Sequence, residues 1–193
     1  MLESNPESLV MLLGMLEAGF LLLDGPFPYA MLLVGGPMTG KTTAAYYLAK
    51  RPLIGYLKNS IPRYKAVPIG NGLPFAEIGQ ENEPKTIIPN IFPTLELSES
   101  ETILFDCPPS SMNTLDSNRV LAKSFFEYQL FTQALNLKFI FTFCFSDMEG
   151  PATPLYDSFQ EFISGFTDFD KIGGDIMAAT CFLVTKVPKS FTR

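Results

Sequence analysis

The chain has 193 residues, enough for one domain with a substantial core and short for two. Hydrophobic residues make up 47% and charged residues 18%, a balance that excludes disorder for the bulk of the chain. The formal net charge is −6, from 14 basic and 20 acidic residues, and there is no run of clustered Lys and Arg, so no nucleic-acid partner is expected. Histidine is absent, which excludes Ser-His-Asp triads, Cys-His pairs and histidine zinc sites.

The first element in chain order is an apolar stretch from Ser8 to Leu23, with Glu17 as its only charge. It is too short for a membrane span, and its acidic flank does not suit a signal peptide. The reading is a buried or partner-binding helix that starts near Asn5-Pro6, with peripheral membrane contact as the alternative. Residues 1–28 therefore read as an N-terminal helix and turn, and residues 29–193 as the main domain.

Ala30 to Val34 is a short apolar run of the kind seen in a strand buried on both faces, and Thr42 to Lys50 reads as a helix. Between them lies Gly35-Gly36-Pro37-Met38-Thr39-Gly40-Lys41-Thr42, followed by Thr43. From residue 51 to 101 the prolines Pro52, Pro62, Pro68, Pro74, Pro84, Pro89 and Pro93 argue against long regular elements. One or two short strands are expected there, near Tyr64 to Ile69. Six glutamates and one lysine lie between Ala76 and Glu101, and they read as a solvated face.

Thr102 to Asp106 is an apolar strand ending in a carboxylate. A helix follows from Ser117 to about Asn136, whose buried face is expected to be Leu121, Phe125, Tyr128, Phe131 and Leu135. Lys138 to Phe145 reads as a central strand, Leu155, Phe159, Phe162 and Phe166 mark a further helix, and Cys181 to Thr185 is the last strand. Cys107, Cys144 and Cys181 sit in apolar runs without a CxxC pair, and are expected to be small buried hydrophobes in an intracellular, cytoplasmic protein. The fold class is α/β, a mostly parallel central sheet with helices on both faces.

The segment Gly35 to Thr42 satisfies G-x-x-x-x-G-K-[ST] in full, with a strand before it and a helix after it. Glycines let the backbone turn its N–H groups inward, and the helix start adds a positive dipole end. Lys41 is placed to reach the β- and γ-phosphates of a nucleotide, and the Thr42 hydroxyl to ligate Mg²⁺. Ile103-Leu104-Phe105-Asp106 has the form of the strand whose carboxylate holds the metal from the other side.

Together these residues resemble the P-loop NTPases, and more narrowly the G-domain GTPases of the translation-factor-related class (Era-like, septin-like and immunity-associated). The resemblance spans about residues 30 to 187. It implies a three-layer α/β/α fold and slow Mg²⁺-dependent GTP hydrolysis. It also assigns Gly35, Gly36, Pro37, Met38, Thr39, Gly40, Lys41, Thr42 and Thr43 to the phosphates, and Lys41 and Thr86 to catalysis. Thr42, Asp106 and Thr86 would hold the metal, Thr86 from a switch loop. Asp106-Cys107-Pro108-Pro109 is similar to the family's Asp-x-x-Gly, and Thr185-Lys186-Val187-Pro188 to its [NT]-K-x-D, which places Thr185 and Lys186 at the nucleotide base. Pro109 stands where the family has a glycine, Pro188 where it has an aspartate, and Met38 where many members have a glycine. Against a complete G domain the chain is expected to lack the C-terminal strand and helix.

Two other readings stay open. Gly36 to Thr42 is also similar to the loop of AAA-type ATPases, which would make the chain an ATP-binding ATPase or kinase. A pseudo-GTPase would keep the fold without hydrolysis and bind a protein partner through the N-terminal helix or the switch-like regions.

Overall fold

The computed structural model describes residues 6–59, 61–67, 76, 78, 86–93, 102–109, 117–149, 153–188 and 190. Among them a five-stranded sheet carries the fold. In chain order the elements are α1 (Pro6–Leu22), β1 (Tyr29–Val34), α2 (Lys41–Leu48), β2 (Leu53–Lys58), β3 (Ile61–Ala66), β4 (Asn90–Pro93), β5 (Thr102–Asp106), α3 (Ser117–Gln133), β6 (Leu137–Cys144), α4 (Ser146–Glu149), α5 (Thr153–Ser164), α6 (Phe169–Ala178) and β7 (Thr180–Thr185). The spatial order is β4-β5-β1-β6-β7, so β1 lies in the middle. Every pairing is parallel except β4 with β5. β2 and β3 form a separate antiparallel hairpin.

The alternation of side chains along the strands sorts the core onto two faces. Ala30 and Leu32 of β1, Phe105 of β5, and Phe139, Phe141 and Phe143 of β6 point to the face packed by α1, α3, α5 and α6. Leu33 and Leu104 point to the other face, where Ala45, Tyr46 and Ala49 of α2 and its following turn pack with Ala66 of β3 and Phe92 of β4. Aromatic edges hold the larger cluster together: Phe139 and Phe162 stand 5.2 Å apart and Phe27 and Phe105 5.1 Å apart, both edge-on.

Several expectations from the sequence change in detail. The hairpin occupies 53–66 and overlaps the expected 64–69 at its end, with residues 68 and 69 outside the described residues, and β4, α4 and α6 are additional elements. The buried face of α3 is Ala122, Phe126 and Leu130, while Leu121, Tyr128 and Leu135 are exposed. The reason lies in α1, which lays Leu12, Met15 and Gly19 against α3. Ala122 and Gly19 permit the close approach, and a Cβ at Gly19 would overlap the Phe126 ring. The stripe of larger side chains is thereby rotated outward. Asn118 Nδ2 adds a hydrogen bond to the Ser8 carbonyl at 2.9 Å. Leu9, Val10, Leu13, Phe20 and Leu21 of α1 stay exposed.

Cys107 and Cys144 are buried as expected, but Cys181 is exposed. It projects from β7 on the side opposite Phe182, whose ring meets Phe141 at 6.0 Å. No described helix is long and apolar enough to cross a membrane.

Candidate functional site

The carboxyl end of β1 turns sharply through Gly35 into α2. Gly35 has φ 136° and Gly40 φ 87°, conformations that glycine adopts without strain. Gly35 has a second reason to lack a side chain, since a Cβ there would overlap the Thr142 carbonyl oxygen. A Cβ at Gly36 would lie 2.9 Å from Ser158 Oγ of α5. Met38 takes φ 61° without being a glycine. Gly40 stands at the N-cap position of α2 and supplies no side-chain cap, so no side chain closes off the first N–H groups, those of Lys41, Thr42 and Thr43, in this way. An open helix start of this kind, fed by a glycine turn, is an anion-binding geometry. Pro37 is exposed at the outside of the loop and contributes no N–H.

Lys41 folds back under the loop. Its Nζ donates to the Gly35 carbonyl at 3.0 Å and to the Gly36 carbonyl at 2.7 Å, and the residue is only 6% exposed. Burial lowers its pKa to about 8, with the Asp106 carboxylate pulling the other way.

Asp106 ends β5, the neighbour of β1, and pairs in register with Leu33. It is fully buried. Three side chains donate to its Oδ2: Thr42 Oγ1 at 2.8 Å, Asn90 Nδ2 at 3.2 Å and Thr86 Oγ1 at 3.3 Å. Its Oδ1 is buried without a hydrogen-bond partner. Burial lifts this carboxyl above the ordinary carboxylate range, while Lys41 and the three donors oppose the rise.

An unpartnered buried carboxylate oxygen beside two hydroxyls is a set of hard donors, and it fits Mg²⁺, which prefers oxygen and keeps water and phosphate in its shell. Among the described residues no group of three or more His, Cys, Asp or Glu could hold a metal. A cation here would therefore draw on Asp106, Thr42 and Thr86 with ligand oxygens completing its coordination. Burial pushes the Cys107 thiol up, which keeps it protonated.

The end of β7 seats on the same loop. Thr185 Oγ1 lies 2.5 Å from the Thr39 carbonyl and 3.2 Å from the Phe143 carbonyl. Lys186, at φ 54°, donates from Nζ to the Met38 carbonyl at 2.7 Å. From β6, Thr142 Oγ1 lies 3.0 Å from Thr39 Oγ1, and each also reaches a carbonyl: Thr142 that of Val34 at 3.0 Å, Thr39 that of Gly36 at 2.9 Å. Thr39 is thereby held from both sides.

The structure thus brings Lys41, Thr42, Thr86 and Asp106 into one cluster, with Thr185 and Lys186 on the far side of the loop. Pro109 is buried, and Pro188 is exposed past the end of β7. Asn90 and Thr142 carry no motif that the sequence reading assigned to a site. Asn90 follows Thr86 by one helical-turn spacing but acts from a strand, and only the antiparallel pairing Asn90↔Asp106 reveals it. No family model, curated protein or solved structure matches the chain.

Proposed function

We propose that the protein binds a Mg²⁺-nucleoside triphosphate through a P-loop formed by Gly35 to Thr42, on a three-layer P-loop NTPase fold of G-domain type, with GTP as its nucleotide and slow hydrolysis as its activity. The observation that carries this reading is the convergence of Thr42 and Thr86 on buried Asp106, next to a loop whose lysine is already held beneath it.

In this reading the N–H groups at the start of α2 hold the phosphates, and Lys41 exchanges carbonyl contacts for phosphate oxygens. Asp106, Thr42 and Thr86 would hold the cation, the two hydroxyls turning from the Asp106 carboxylate toward it. Mg²⁺, when bound with the nucleotide, offsets phosphate charge. The slow rate follows from Pro109, which has no N–H to donate to the terminal phosphate. Thr185 and Lys186 brace the loop where it meets the base. Pro188 supplies no carboxylate to the guanine edge, so GTP is preferred over ATP by less than about a hundredfold.

The test is equilibrium binding of fluorescent GTP and ATP analogues with and without Mg²⁺, repeated for Lys41→Ala, together with release of phosphate over hours. Magnesium-dependent binding that Lys41→Ala abolishes supports the site, and tighter GTP than ATP supports the base. ATP binding as tightly as GTP, or better, replaces GTP by ATP, the reading that the likeness of Gly36 to Thr42 to the AAA-type loop leaves open. Binding without turnover leaves a nucleotide-sensing module, and binding of neither nucleotide sinks the proposal.

A further inference from the structure

Residues 25–76 hold six basic side chains and no acidic one, which leaves eight basic against twenty acidic residues for the rest of the chain. Lys50 and Arg51 lie in the turn after α2, and Lys58, Arg63 and Lys65 on the β2–β3 hairpin. The grouping is local in the sequence, since Lys50 and Arg51 are adjacent and Lys58, Arg63 and Lys65 fall between residues 58 and 65. The pairings Ile54↔Lys65, Tyr56↔Arg63 and Lys58↔Ile61 put Lys58, Arg63 and Lys65 on one face of the ribbon, with Ile54 and Tyr56 between them. On the other face Leu53 and Ala66 anchor the hairpin in the core beside α2. Further out Tyr64 covers Gly55, and Leu57 is 72% exposed. Gly55, Tyr56, Leu57, Arg63 and Tyr64 line an open notch of about 230 Å³. The Arg63 Nε is buried and has no hydrogen-bond partner.

We propose that the β2–β3 hairpin docks the protein tip-first on an anionic lipid surface, with Leu57, on one face beside the turn, entering the headgroup boundary and Lys58, Arg63 and Lys65, on the opposite face, meeting lipid phosphates. The most exposed apolar side chain beside the turn is the aliphatic Leu57, which enters a lipid boundary but does not stack on a nucleobase, and Tyr64 and the basic side chains further along the ribbon suit the membrane interface. Charge complementarity sets the orientation. The acidic remainder of the chain is repelled by an anionic surface, so the hairpin faces it. The Arg63 guanidinium lines the notch, and a phosphodiester fits that chemistry.

The experiment is co-sedimentation of the full chain with phosphatidylcholine vesicles, with and without phosphatidylserine, at low and high salt. Binding is expected only with phosphatidylserine, and it weakens as salt rises. Lys58→Glu with Lys65→Glu lowers the bound fraction about tenfold or more. Leu57→Ser lowers it several-fold, while Leu13→Ser with Leu21→Ser on α1 leaves it unchanged. Thermal unfolding shows that each variant folds, and Lys58→Gln with Lys65→Gln replaces the reversal pair if that pair does not. No binding, equal binding to neutral vesicles, or loss in the α1 variant in place of the hairpin variants overturns the proposal. So does a single-stranded oligonucleotide bound more tightly than the vesicles and lost in the same hairpin variants.

Discussion

Thr42 Oγ1 donates to Asp106 Oδ2 at 2.8 Å, tying the first turn of α2 to the end of the neighbouring strand. The bond spans 64 residues of chain. It holds a hydroxyl and a carboxylate at the spot where a cation would have to displace their shared proton contact. Asp106→Asn keeps the shape and removes the charge. In isothermal titration the variant should lose the Mg²⁺ enhancement of nucleotide affinity by about tenfold or more, with metal-free affinity little changed. Full enhancement in the variant would take Asp106 out of the proposed metal site.

Lys41 gives the site a pH dependence with opposite signs for stability and binding. Its folded pKa of about 8 lies below the ordinary lysine value of 10.5. The folded state therefore binds fewer protons than the unfolded state between those values, and stability without nucleotide rises with pH across that window. From pH 8 to 9.5 the gain from this group is about 1 to 2 kcal/mol. If the proposed site holds a nucleotide, its affinity should fall over the same range as the ammonium is lost. Lys41→Met should flatten both slopes, measured by urea unfolding and by titration at each pH.

Gly35 meets two demands at once, a φ of 136° and no room beside the Thr142 carbonyl. Gly35→Ala should cost about 3 kcal/mol or more of stability and abolish nucleotide binding. Met38→Gly goes the other way. Relief of a left-handed methionine should leave stability unchanged or raise it by up to about 1 kcal/mol, with the loop's contacts to Lys186 kept. Denaturant midpoints of the two variants check the pair.

The α1–α3 contact depends on Gly19. Gly19→Ala places a methyl group on the Phe126 ring, which is fully buried. The expected loss is about 1 to 3 kcal/mol in chemical denaturation. A neutral effect would mean that α1 docks less tightly than its buried Leu12 and Met15 suggest.

How much of this was legible beforehand follows from the distance over which each feature is specified. The Gly35–Thr42 loop could be read directly, because its turn needs particular residues at contiguous positions and its flanking apolar run and helix are local. Asp106 was legible for the same reason, as a carboxylate closing an apolar strand. The carboxylate's partners were harder. Thr86 was reached by resemblance alone, and Asn90 acquires its place only when β4 pairs antiparallel with β5. The seats of Thr185 and Lys186 on the Met38 and Thr39 carbonyls, and of Thr142 beneath Thr39, depend on β6 and β7 standing in order beside β1. The buried face of α3 was misjudged because side-chain size suggested one stripe, whereas the approach of α1 at Gly19 selected the stripe one position round. The sequence by itself thus determined the local chemistry of the loop and the apolar strands, since hydrogen bonding and side-chain alternation act between near neighbours. Strand order and the choice of helix face were decided only by the tertiary structure, where packing joins residues that no local pattern connects.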